Sequence, residues 1–312
     1  METIAETPVT GSSTDARSPS SGLRSVLVTG CSSGFGLRTA VALAERGWQV
    51  FASMRDPGRQ GALREAAAGV ADRIDVVRLD VCDAASVKQA VATVLERTGG
   101  TLDAVVHNAG IGAAGFFEDV PDGMFRDVVE TNFFGPATLT REVLPAMRAR
   151  GRGRIVVISS VAAFIPQPAL SPYVSSKWAV EAWAETLAIE VAQFGIDVVL
   201  VEPGTYKTNI WTSGDVAESS EPYAGVLEAM EPRVRRMVDR FGRDPQEVAD
   251  RVARLLDARR PRFRNPVGPD AWVSWALSRT VPPRLRRWAL QKFVGLPSAP
   301  RSDAGAGSSS PA

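Results

Sequence analysis

Tyr173 and Lys177 stand four residues apart in Ser171-Pro172-Tyr173-Val174-Ser175-Ser176-Lys177. On a helix this spacing puts both side chains on one face, about a turn apart. A free phenol is a poor proton donor or acceptor near neutrality, because its pKa is about 10. A neighbouring ammonium favours the phenolate and lowers that value. Bringing the phenol to neutrality takes about three units, or roughly 4 kcal/mol. One unit charge at about 4 Å supplies about that much at an effective dielectric of about 20. The pair therefore predicts a tyrosine that exchanges a proton with the help of a lysine. Tyr-x-x-x-Lys also arises by chance on solvated helix faces, so the rest of the chain has to decide.

Near the start, residues 25–29 read as a buried strand. It runs into Gly30-Cys31-Ser32-Ser33-Gly34-Phe35-Gly36, and Leu37, Val41, Leu43 and Ala44 follow at helical spacing. Strand, glycine-rich turn and helix together place a phosphate at a helix N-terminus. Gly30 permits the tight turn, Gly34 lets backbone approach a pyrophosphate, and Gly36 lets helix and strand pack closely. An ordinary strand-to-helix turn is the bland alternative, and the sequence context favours cofactor binding.

Thr29-Gly30-x-x-x-Gly34-x-Gly36, His107-Asn108-Ala109-Gly110, Asn132, Ser160 and Tyr173-x-x-x-Lys177 occur in this order. Jointly they resemble a classical short-chain dehydrogenase/reductase, with matching segments over residues 25–210. The resemblance implies roles for the matched positions. Ser160, thirteen residues before Tyr173, would hydrogen-bond the substrate oxygen; the adjacent Ser159 reads as the last polar residue of a buried strand. Tyr173 would exchange the proton. Lys177 would lower the Tyr173 pKa and hold the nicotinamide ribose. Asn132 would shape a helix and support a proton relay to the lysine; a plain polar position inside a helix is its alternative. Ser32, Ser33 and Phe35 would line the dinucleotide with the three glycines. Asp80-Val81 would contact the adenine, although an Asp opening a turn would look the same. Asn108-Ala109-Gly110 would line the cofactor cleft, and Pro203-Gly204-x-x-x-Thr208 would meet the nicotinamide amide. The chemistry implied is hydride transfer between the dinucleotide and a carbonyl or alcohol, with Ser160 and Tyr173 stabilising the oxygen.

Cofactor choice turns on the end of the second strand, Ser53-Met54-Arg55-Asp56. NAD sites place an acid there for the ribose 2′-hydroxyl, and an arginine accommodates a 2′-phosphate. Met54 takes the acidic position and Arg55 follows it, which predicts NADP(H), with NAD(H) as the alternative. Asp56 reads as a turn residue before Pro57.

The elements that must carry these residues fit an α/β fold: a single Rossmann-like, doubly wound parallel sheet flanked by helices, with a C-terminal helical extension. Strands are expected near 49–55, 75–79, 103–106, 154–158, 197–201 and 263–267. Helices are expected at 37–46, 84–97, 124–150, 172–194 and 245–256. Ser171 is the expected N-cap of the fourth and Asp244 of the fifth. Trp178 and Trp183 read as packing or subunit contacts. Residues 205–232 lose the alternation and resemble the family's substrate loop, with Ile210, Trp211 and Tyr223 as candidate pocket residues. The domain spans 23–270, an amphipathic extension 271–296, and tails of disordered composition 1–22 and 297–312.

The chain has 312 residues, 45% hydrophobic and 23% charged, with formal net charge +1. That balance predicts a full core and no nucleic-acid partner. No apolar run reaches about 18 residues, so no transmembrane span is expected. Residues 1–22 lack the apolar stretch of a secretory signal. One histidine and two distant cysteines, Cys31 and Cys82, offer no metal-ligand spacing and fit a reducing compartment, the cytoplasm. In 271–296, Trp272, Trp275, Leu277, Leu285, Trp288 and Phe293 interleave with Arg279, Arg284, Arg286, Arg287 and Lys292. This reads first as helices packed on the domain, with arginines in water; a membrane-surface segment is the alternative. It resembles the extension of steroid- and retinol-dehydrogenase-like members, which implies an apolar substrate. The reading is thus a reductase or dehydrogenase of small carbonyl or alcohol compounds. The resemblance also implies a homo-oligomer. A dinucleotide-binding regulatory protein without turnover, or a membrane-surface dehydrogenase using NAD, are the alternatives.

Overall fold

The computed structural model describes residues 23–207 and 214–296. The elements run β1 (Ser25–Val28), α1 (Gly34–Glu45), β2 (Gln49–Met54), α2 (Gly61–Ala66), β3 (Ile74–Arg78), α3 (Ala84–Arg97), β4 (Ala104–His107) and β5 (Ala113–Ala114). Then follow α4 (Asp122–Val129), α5 (Gly135–Arg150), β6 (Gly153–Ile158), α6 (Ser171–Val191), β7 (Ile196–Pro203) and β8 (Asp215–Val216). The chain continues through α7 (Ala224–Phe241), α8 (Gln246–Asp257), β9 (Arg264–Val267), α9 (Pro269–Thr280) and α10 (Pro283–Val294). The expected tails 1–22 and 297–312, and Thr208, Ile210 and Trp211, lie outside the described residues.

Among the described residues, seven strands form one parallel sheet in the order β3-β2-β1-β4-β6-β7-β9. The apolar strand sequences explain why it is covered on both faces. Along β1, Val26 and Val28 point into a layer with Leu43, Val248 and Val252 from α1 and α8. Leu27 points the other way, to Val87, Leu139, Val143 and Leu187 from α3, α5 and α6. Side chains alternate across a strand, so a continuous apolar run feeds both layers at once. Each fully buried leucine or valine contributes about 1.5–3 kcal/mol relative to exposure. The order reverses between β1 and β4, which opens a crevice beyond their carboxyl ends.

Several boundaries differ from the sequence reading. Helix α1 starts at Gly34, because the glycine turn itself supplies the first helical residues. The expected helix 124–150 is interrupted by a π turn at Glu130–Phe134, a form that often marks functional positions. Ser171 is not the N-cap of α6: Leu170 is, and Ser171 is the first helical residue. Asp244 is not the N-cap of α8 either: Pro245 is, and the Asp244 carboxylate accepts from the Gln246 N–H at 2.9 Å in the turn before it. The expected loop 205–232 is loop only in part, since α7 occupies its end. Residues 271–296 fold as two helices, α9 and α10. No helix among the described residues is long and apolar enough to cross a membrane.

Candidate active site

The glycine turn and the end of β4 form one wall of an open cleft of about 260 Å³. Gly30 holds φ +73°, and a Cβ there would come within 2.9 Å of the Ala109 Cα. A Cβ on Gly36 would lie 2.3 Å from the Gly30 carbonyl oxygen. Both positions therefore require glycine, one for its conformation and one for close packing. Thr29 ties the wall together: its Oγ1 accepts from the Asn108 and Ala109 N–H groups, each at 2.9 Å. The Asn108 amide donates in turn to the Thr29 and Gly30 carbonyls, at 2.8 and 3.2 Å.

The start of α1 suits a phosphate. Ser33, its N-cap, makes no side-chain cap bond, and the first turn carries no acidic residue. Free N–H groups and the helix dipole at that point favour an anion. Ser32, Ser33, Gly34, Phe35, Arg55, Asp80, Val81, Asn108, Ala109, Gly110, Pro203 and Gly204 all line the cleft. Gly36 does not; it packs beneath the turn. Thr208 lies outside the described residues. Arg55 is exposed at the rim, beside buried Met54. Asp56 accepts from the Gly58 N–H at 2.8 Å, as the turn residue expected. Asp80 lines the cleft, and its carboxylate accepts from the Cys82 N–H at 3.0 Å, as an Asp opening a turn does.

Ser160, Tyr173 and Lys177 line the opposite side of the same cleft. Ser160 follows β6 and caps a short turn, accepting from the Ala162 N–H at 3.1 Å. Its hydroxyl faces the same cleft as the Tyr173 phenol and acts to lower that phenol's pKa. Lys177 lies one turn further along the inward face of α6. Its ammonium donates to the Ile158 carbonyl at 2.9 Å and sits 5.6 Å from the centre of the Tyr173 ring.

The charge balance corrects the sequence expectation. Burial raises the Tyr173 phenol above its ordinary value, and Ser160 only partly opposes this. The Lys177 ammonium, 5.6 Å from the ring centre, does not offset that burial here. The ammonium is held by a backbone carbonyl, and burial pushes its own pKa down to about 8, with the Glu181 charge opposing. The desolvation that the pair shares outweighs the attraction that the spacing alone suggested.

Asn132 sits in the π turn, buried. Its carbonyl accepts from the Ile111 N–H and its amide donates to the Ile111 carbonyl, both at 2.9 Å. The amide also donates to the Ser176 hydroxyl at 2.9 Å, and Ser176 donates to the Tyr173 carbonyl at 2.7 Å. Asn132 thus braces the helix that carries Tyr173 against the loop after β4. Tyr223 turns elsewhere: its ring stacks on Phe116 at 4.5 Å and its hydroxyl donates to Glu118 at 3.2 Å.

Residues 24–218 match the family model described as short chain dehydrogenase. The chain belongs to the short-chain dehydrogenase family. It is 38% identical over 256 residues to retinol dehydrogenase 8 of Bos taurus, covering 77% of this chain and 80% of the relative. A solved short-chain dehydrogenase from Streptomyces avermitilis superposes with TM-score 0.74 at 35% identity, over 89% of this chain and 100% of the other. An alcohol dehydrogenase from the archaeon Thermococcus sibiricus, complexed with 5-hydroxy-NADP, gives TM-score 0.66 at 25% identity, over 80% and 97% of the two chains.

Behind the cleft of this short-chain dehydrogenase lies a charged cluster that the sequence reading missed. Glu181, one turn beyond Lys177 on α6, is buried and bonded to the Arg264 guanidinium from β9. Arg264 also reaches Glu185 at 3.0 Å and Glu202 at 3.5 Å. Glu202, fully buried on β7, accepts from the Asn265 N–H at 2.7 Å. Burial and the Glu181 charge push its carboxyl up to about 8. Ser159, expected as a strand-end polar residue, is buried beside this cluster with its hydroxyl unpartnered, and burial also raises the Glu181 pKa. Lys177-x-x-x-Glu181 was visible in the sequence as a helical pair; Glu202 and Arg264 are joined to it only by the parallel pairing of β7 and β9. Tyr206 was missed as well. It lines the cleft and packs edge-on against Phe35, with ring centres 5.5 Å apart.

Proposed function

We propose that this enzyme interconverts a ketone or aldehyde and the matching alcohol on an apolar small molecule, with NADP(H). The observation that carries the reading is the Ser160–Tyr173 hydroxyl pair, facing a cleft that begins at a bare helix N-terminus. When bound, the dinucleotide supplies or accepts the hydride. The remaining chemistry belongs to the chain. The α1 N-terminus would hold the pyrophosphate. Arg55, with no acid at Met54, would hold a 2′-phosphate, in line with the NADP analogue named for the archaeal neighbour. Ser160 would donate to the substrate oxygen and stabilise its growing negative charge. Tyr173 would give that oxygen its proton in reduction and remove it in oxidation. Lys177 would hold the nicotinamide ribose and keep a positive charge near the phenol. Asn132, through Ser176, would keep α6 in register with the loop after β4.

An apolar substrate is supported by a second hollow of about 60 Å³ that shares Tyr173 with the cleft. Gly112, Ala113, Ala114, Leu170 and Val216 line it, together with Asp215. Retinol, in the name of the bovine relative, is an apolar alcohol. Free thiols at Cys31 and Cys82 suit a reducing compartment, and the cytoplasm is the proposed location. The deciding experiment offers purified enzyme NADPH with steroid, retinoid, aliphatic and aromatic carbonyls and follows loss of absorbance. Turnover of at least one apolar class supports the reading. Activity confined to small charged carbonyls, or none with any carbonyl while NADPH binds, sinks it.

A further inference from the structure

We propose that the outward faces of α9 and α10 form a docking surface for an anionic lipid membrane. In most surface helices the apolar stripe faces the protein. Here it faces out. On α9 the packed side carries Ala271, Ser274, Trp275 and Ser278, while Trp272, Val273 and Leu277 are exposed. On α10, Leu290 and Val294 turn partly inward, Leu285 and Trp288 stand on the opposite face, and Phe293 is exposed on the flank between them. Trp272 is 47% exposed, Trp288 57% and Phe293 63%; α10 buries no residue fully.

Charge identifies the occupant. Residues 269–296 hold five cationic side chains and one carboxylate, Asp270. That carboxylate is turned inward, accepting from the Thr205 N–H at 2.6 Å. The exposed cations Arg279, Arg284 and Arg287 therefore border apolar side chains with no acid in the segment to balance them. Tryptophan and leucine beside arginine suit the boundary between headgroups and acyl chains, and basic residues there are drawn to an anionic surface. A second copy of this chain fits less well. Two-fold pairing of the same face would set these arginines against one another without a carboxylate to receive them. The docked face would also adjoin the site, since Asp270 at the start of α9 fixes the backbone just after Gly204, a cleft residue.

The proposal stands independently of the catalytic reading, because its test needs no turnover. Full-length protein is sedimented with phosphatidylcholine vesicles, and with vesicles carrying about 30% phosphatidylserine. The expected result is recovery with the anionic vesicles only, falling as salt rises. Leu285→Glu/Trp288→Glu and Arg284→Glu/Arg287→Glu should each lower the partition about tenfold or more with unchanged circular dichroism and melting. These side chains face outward, so either pair tests the idea without loading the core. Wild-type protein left in the supernatant, equal recovery on neutral vesicles, or folded variants that bind as before would each overturn it. So would analytical ultracentrifugation in which the variants split a dimer while vesicle binding is unaltered.

Discussion

Tyr173 holds its proton more tightly than an ordinary phenol, because burial opposes the phenolate. For a proton donor this is an advantage: the acid form persists at neutral pH. Carbonyl reduction should therefore be level from about pH 6 up to about 8. It should decline above that, where Lys177, pushed down to about 8, loses its charge. Alcohol oxidation needs the phenolate, so its rate should rise over the same range. Initial-rate pH profiles in both directions check this; reduction that climbs through pH 9 would contradict it. Arg55 makes a separate prediction. A charge-assisted hydrogen bond contributes about 1.5–3 kcal/mol, so Arg55→Asp should lower the NADPH-to-NADH ratio of kcat/KM by about tenfold or more. An unchanged ratio would reject the 2′-phosphate role. The residue types and spacings in the sequence located Ser160, Tyr173 and Lys177 in one cleft. They did not show the balance among them, because desolvation depends on what the fold packs around the pair.

At the scale of elements, the glycine turn is the part most legible from sequence, since a strand and a helix flank it and sterics leave little choice. Gly36 shows the reason: a Cβ would meet the Gly30 carbonyl and the Asn108 amide at 2.3 and 2.4 Å. Gly36→Ala should cost about 1–3 kcal/mol in stability through overpacking and weaken NADPH binding, as read by thermal melts and fluorescence titration. A variant as stable and as tight-binding as wild type would remove the packing role. The π turn was not legible. Nothing in Glu130–Phe134 breaks helical periodicity; the widened turn exists because Asn132 must reach the Ile111 backbone. Helix α3, by contrast, matches the expected 84–97, because Asp83 caps Ala85 and Ser86 locally.

For the whole molecule, the parallel sheet and the two-layer core follow from apolar strands alternating with helices, while the strand order comes only from the structure. The Glu181–Glu202–Arg264 cluster does not, since its members come from α6, β7 and β9. It leaves a signature in stability. Glu202 is raised to about 8 in the folded chain, against about 4.3 unfolded. The folded state therefore binds the extra proton between those values, and stability falls as pH rises through that window. His107, buried and pushed down to about 3, acts in the opposite sense: its contribution is lost as pH falls below about 6.5. Between about pH 6.5 and 8 only the Glu202 effect remains of the two, at most about 1.4 kcal/mol per unit. Glu202→Gln should flatten the decline of Tm over that window; an unaltered slope would assign the charge elsewhere. The account as a whole requires that one cleft bind the dinucleotide and that a single phenol move the proton beside it. Tyr173→Phe separates the two. The account predicts NADPH affinity close to wild type by fluorescence titration, with kcat reduced about 10²–10⁴-fold. Wild-type turnover in that variant would contradict it.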